Sequence, residues 1–130
     1  MKLRFVVICS LLSMLCDFGA AAQTTSCPAP TPGVPHVCLK WALSTTSGAS
    51  YNVYRATVTG SENYASPLNA APLVAGTTAF YDTGVVIGTT YFYTVTAVGT
   101  GGVMSTPTPE VSAQIPVPPN PATTPSAVID

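Results

Sequence analysis

The chain has 130 residues, 47% of them hydrophobic, with a formal net charge of −1 and only 7% charged side chains. That charged fraction is far below the roughly 25% of average soluble proteins. It provides no basic patch, which excludes nucleic acid and anionic membrane surfaces as partners.

The N-terminus carries Lys2 and Arg4, then the apolar run Phe5 to Leu15, then the small residues Ala20, Ala21 and Ala22. This order reads as a secretory signal peptide, residues 1–22, cleaved before Gln23. The apolar run is too short to span a bilayer as a mature helix. Cys16 follows it, but Leu15 stands where a lipoprotein signal needs a small residue. Cleavage leaves two cations, Lys40 and Arg55, against Glu62, Asp82, Glu110 and Asp130. It also leaves two cysteines, Cys27 and Cys38. An even pair in an oxidising compartment predicts one disulfide, closing a short loop and contributing about 3 kcal/mol. Free or intermolecular thiols are the alternative. A zinc site with His36 is a poor one, because two thiolates and one imidazole leave the tetrahedron incomplete.

Residues 23–35 are Pro-rich and suit a linker or a short edge strand, since proline removes a ladder donor and fixes φ. From His36 the pattern alternates: Val37, Leu39 and Trp41 share one face. Ser44 to Ser50 is a turn cluster. In SYNVYR, Tyr51, Val53 and Arg55 fall on one face, Asn52 and Tyr54 on the other. Residues 56–75 are broken by Gly60, Pro67 and Pro72, with a short strand expected over about 64–68. TTAFYD predicts a strand with Thr78 and Phe80 inward and Asp82 capping the following turn. TYFYTVTAV predicts the longest strand, with Tyr91, Tyr93 and Val95 inward and Phe92 outward. Gly99 to Gly102 is a loop without the lysine or helix of a phosphate site. Pro109 to Ile115 predicts the last strand, with Val111, Ala113 and Ile115 inward. Residues 117–130 form a Pro/Thr-rich tail that builds no core. No window shows a helical period, and short strands with regular turn signals indicate an all-β antiparallel sandwich.

The ordered strings Leu39-x-Trp41, Tyr51-x-Val53-x-Arg55, Gly88-Thr-Thr-Tyr91-x-Tyr93-x-Val95 and Glu110-Val-Ser-Ala113 resemble a fibronectin type III domain of the kind found in secreted bacterial proteins. The resemblance covers about residues 36–116. It implies a seven-stranded antiparallel β-sandwich with strands B (36–43), C (50–55), C′ (about 64–68), E (77–82), F (89–98) and G (109–115), and a short Pro-bounded strand A. It makes Tyr91 the tyrosine corner, bonding backbone near Val85 to Gly88 where Gly88 lets the chain turn, and Trp41 the buried strand-B tryptophan. With Tyr51, Val53, Phe80, Tyr93 and Val95 these residues form the expected core.

The chain holds no GxSxG, HExxH, P-loop or CxxC motif, its acids are scattered, and His36 is the only histidine. Catalysis, metals and cofactors are therefore not expected. The resemblance implies a secreted, non-catalytic module acting as a spacer or as a protein or carbohydrate interaction domain. It is expected as a monomer or as part of a longer multidomain chain. On the family's topology Tyr54 and Phe92 are neighbours on the outer sheet face, with Asn52 beside them. They are either a cross-strand aromatic pair or a platform for a polysaccharide or an extracellular protein. A structural subunit that polymerises through edge strands is the further alternative, opposed by the prolines at those edges.

Overall fold

The computed structural model describes residues 26–29, 31–121 and 123. The expected signal peptide and the end of the tail lie outside the described residues. Five strands form in chain order: β1 (Val37–Lys40), β2 (Ser50–Ala56), β3 (Ala79–Asp82), β4 (Thr90–Val98) and β5 (Val111–Gln114). The only helical element among the described residues is a 3-10 turn, Thr100–Gly102. No helix of these residues is long and apolar enough to cross a membrane.

The strands make two antiparallel sheets, one of order β1-β3 and one of order β2-β4-β5. Leu39 stands opposite Phe80 in the first, and Val53 opposite Val95 and Tyr93 opposite Val111 in the second. Two-residue alternation then sorts the side chains. Val37 and Leu39 from one sheet and Tyr51, Val53, Tyr91, Tyr93 and Val95 from the other fill one buried cluster, joined by Val85 and Ile115. Trp41 and Phe80 pack against it half-buried, and the Trp41 ring tilts on Tyr51 at 5.7 Å. Burying such side chains contributes about 1.5–3 kcal/mol each.

Three expectations are corrected. Among the described residues, 26–29 and 31–36 hold no strand A and 57–73 no strand C′, so five strands are shown where seven were expected. The reason is local: Pro28, Pro32 and Pro35 in the first segment and Pro67 and Pro72 in the second interrupt any ladder. Val111 is 54% exposed rather than inward, because it opens an edge strand with no neighbour on its free side.

Side chains take over where the backbone ladder stops. On the free side of β2, Asn69 is buried and its Oδ1 accepts the Val53 amide at 2.8 Å, while its Nδ2 donates to the Tyr51 carbonyl at 3.2 Å. The Leu68 amide donates to the Val53 carbonyl at 2.8 Å. Along β4 the irregular run 105–108 does the same. Ser105 and Thr108 amides donate to the Ala97 and Val95 carbonyls, and their hydroxyls accept the Ala97 and Val95 amides at 3.0 Å. Each edge thereby keeps its polar groups paired despite the adjoining prolines.

The turn before β4 is tied by Tyr91, whose hydroxyl accepts the Val86 amide at 3.0 Å. Gly88 adopts φ +79° there, a left-handed conformation that other residues enter at a cost. Its amide donates to the Ile115 carbonyl at 2.9 Å, joining the turn to the end of β5. Cys27 and Cys38 form the disulfide, with Cα atoms 5.8 Å apart, and hold the start of the described chain against β1.

Candidate functional site

The outer face of the β2-β4-β5 sheet is not an open platform. Tyr54 is 1% exposed. Its ring meets Tyr64 edge-on at 4.9 Å, and its hydroxyl donates to the Met104 Sδ at 3.3 Å and lies 3.4 Å from Thr96 Oγ1. The Thr94 hydroxyl donates to the Tyr64 hydroxyl at 3.4 Å. Farther along, Glu110 accepts the Thr59 hydroxyl at 2.6 Å and the Gly60 amide at 2.7 Å. Residues 57–66 therefore leave the end of β2, cross to Glu110, and return over Tyr54 as a covering flap. Tyr54 stands opposite Thr94 and Phe92 opposite Ala56, so the two are diagonal on the same face, but the ring that packs on Tyr54 is that of Tyr64. The physical reason is again the missing C′ strand: with no ladder to join, this segment lies on the sheet rather than beside it. Phe92 is half-buried, opposite Ala56 and Ser112. Asn52 is half-buried, its Oδ1 accepting from Asn69 Nδ2 at 2.9 Å.

A second convergence lies on the inner side. Arg55, in phase with Tyr51 and Val53, reaches across to Asp82 at 2.8 Å, and the Gly84 carbonyl accepts from the same nitrogen at 2.9 Å. Asp82 is 6% exposed and also accepts the Tyr93 hydroxyl and the Gly84 amide, both at 2.9 Å. The Arg55 guanidinium sits 4.9 Å from the Tyr91 ring centre. Burial pushes the Tyr93 phenol far up, assisted by the Asp82 hydrogen bond and charge and opposed by Arg55. The Asp82 charge is matched by Arg55 and both its oxygens accept hydrogen bonds, so the group clamps one sheet to the other. Sequence reasoning placed Asp82 on its turn but missed Arg55 as its partner. The available signal was an arginine in phase with two core positions.

The open concavity lies at the margin where β1 and β5 each lack a further neighbour. It encloses about 500 Å³ between residues 33–38 on one wall and 113–118 on the other, with Ile87 at its end. Val34, Ile87 and Val117, on or beside this groove, are exposed apolar side chains. Its titratable side chain is His36, whose ring tilts over Tyr81 at 4.9 Å. His36 Nδ1 lies 3.0 Å from the Val34 carbonyl. A carbonyl only accepts, so Nδ1 carries the proton. Pro35, Pro116 and Pro118 have no amide hydrogen to offer a strand. The groove is built for side chains to pack into, not for ladder extension. Sequence reasoning flagged its prolines but not the cavity, which exists because residues 31–36 stay irregular.

No protein-family model matches the chain, and no curated protein matches it.

Proposed function

We propose that the chain is a fibronectin type III-like module of a secreted protein, a spacer and docking domain rather than a catalyst. The bond from the Val86 amide to the Tyr91 hydroxyl supports the family reading, because a corner tyrosine at the start of the second-last strand is that family's device. On this reading β1 to β5 stand for strands B, C, E, F and G of a β-sandwich, with irregular chain in the places of A and C′. A signal peptide over residues 1–22 belongs to the same proposal. The Cys27–Cys38 pair is compatible with an extracellular location.

The observation that carries the docking role is the groove between residues 33–38 and 113–118: apolar walls, a capped ladder, one imidazole. Such a lining favours an extended apolar segment of an extracellular protein over a polysaccharide, which needs exposed ring faces. The covered Tyr54 supplies none. Nuclear magnetic resonance titrations with apolar and Pro-rich peptides, and separately with soluble oligosaccharides, test this. Shifts confined to 33–38 and 113–118 with the peptides are expected. Shifts centred on Phe92 with a sugar would reverse the assignment of ligand and site.

A further inference from the structure

Methionine stands at positions 1, 14 and 104, and Met104 is the one among the described residues. Hydrogen bonds on either side fix its place beyond β4. The Gly99 amide donates to the Val103 carbonyl and the Ser105 amide to the Ala97 carbonyl, both at 2.8 Å, and Met104 itself bridges Val98. Its side chain reaches over the outer face of the β2-β4-β5 sheet to Tyr54 and Asn52, and 47% of the residue is exposed.

These two donors, one strand period apart on β2, converge on its sulfur. The hydroxyl of the buried Tyr54 donates to Sδ at 3.3 Å, and Asn52 Nδ2 donates from 4.0 Å. The Asn52 amide is oriented by its other end, where Oδ1 accepts from Asn69 at 2.9 Å. As it stands the pairing is poor. A buried tyrosine hydroxyl ordinarily finds a good partner, and a thioether is a weak acceptor. Packing alone does not call for donors here, because a thioether fills space among apolar groups equally well. Two donors aimed at one half-open sulfur are the surroundings that an oxygen bound to that sulfur requires.

We propose that Met104 is a site of reversible oxidation by hydroperoxides, and that Tyr54 and Asn52 hold the sulfoxide oxygen so formed. A sulfur lone pair attacks the terminal peroxide oxygen, and the S–O bond forms as the O–O bond breaks. The hydroperoxide's own proton passes to the departing oxygen. Sulfur gives up two electrons, and the peroxide is reduced to an alcohol, or to water when it is hydrogen peroxide. The exposed side of the residue admits the oxidant. Rotation about the unbranched side chain's bonds then turns the new oxygen toward the two donors. Oxidation of a core methionine disrupts packing, but Met104 is not part of the buried cluster. Here a weak acceptor is exchanged for a strong one at the rim, and the segment after β4 is tied more firmly to β2. The site lies on the outer sheet face, apart from the groove of residues 33–38 and 113–118, and does not depend on it.

The test is titration of the whole chain with hydrogen peroxide, with mass mapping of the digested protein to separate Met104 from Met1 and Met14. Met104 is expected to gain one oxygen and to lose it again to a methionine sulfoxide reductase. Thermal melts of the reduced and oxidised forms are then compared. Oxidation should raise Tm by about 3 °C in the unmodified chain, and Tyr54→Phe should remove that rise. The Asn52 side-chain amide protons of the unmodified chain should move downfield in magnetic resonance spectra on oxidation, a readout that holds whether or not the Tyr54 variant folds. Met104→Leu should abolish both responses. A Met104 that takes up no oxygen overturns the proposal, as does a Tm that oxidation leaves unchanged or lowers. A rise that survives in Tyr54→Phe, or an Asn52 amide that does not move, overturns it equally.

Discussion

Tyr91 and Tyr93 are two residues apart, point the same way, and do different things with their hydroxyls. Tyr91 accepts from the Val86 amide, so Tyr91→Phe strands that amide and should cost about 1 kcal/mol. Urea denaturation should show a lower midpoint at unchanged slope. Tyr93 donates to Asp82 from full burial. Its folded phenol ionises well above the unfolded value of about 10. A raised value means the stabilisation is fully present below the unfolded value and is lost as pH climbs from there toward the folded one. Stability should therefore fall steeply above about pH 10, and Tyr93→Phe should flatten that fall while lowering stability at pH 7. A pH series of thermal melts measures both. The inward phase of these tyrosines was legible because a strand's period is two. The partners of their hydroxyls were not, because Asp82 arrives from the other sheet and no local pattern encodes that meeting.

Between the strands, the segments that fail to become strands decide what the sheets present. Asn69 stands in for a missing neighbour of β2, holding the Val53 amide and the Tyr51 carbonyl. Asn69→Ala would leave the buried Val53 amide unpaired, while the Tyr51 carbonyl keeps the Leu73 amide at 2.8 Å, and should cost about 1–3 kcal/mol, with hydrogen exchange quickening first at Val53. The 57–66 flap depends on Glu110, whose carboxyl is held below the usual carboxylate range by the Thr59 hydroxyl and the Gly60 amide. A lowered value stabilises above the unfolded value of about 4.3 and is lost as pH falls through the folded one. Exchange at Gly60 should accordingly accelerate on acidification while the β4 amides stay protected. Strands over 37–40, 50–56, 79–82, 90–98 and 111–114 were legible from alternation bounded by turn residues. The flap was not: residues 57–66 show no period, and only three-dimensional contact reveals that they lie across Tyr54 instead of beside β2. That is also why Tyr54, outward by register, is buried in fact.

At the scale of the molecule, two small sheets with few ladders share one core, and two long-range ties supplement it. Arg55 and Asp82 bind one sheet to the other, and Cys27–Cys38 binds the first described residues to β1. Asp82→Asn would leave a partly buried guanidinium without its counter-charge, a loss of about 2–3 kcal/mol. The fall in the urea midpoint should shrink in an Arg55→Met/Asp82→Leu double variant. The disulfide's expected contribution of about 3 kcal/mol belongs largely to the unfolded chain. Reduction should lower the melting temperature, and it should also free residues 31–36 and so erase the groove.

The two basic side chains carry one more consequence, for digestion. Between residues 26 and 121 a trypsin-like protease has two bonds to attack, after Lys40 and after Arg55. One closes β1; the other lies inside β2, with its side chain clasped by Asp82. A protease must draw an extended segment of about half a dozen residues into its cleft, and neither strand releases one without opening its sheet. A chain this sparing of lysine and arginine, with both set in strands, resists such enzymes for as long as it stays folded.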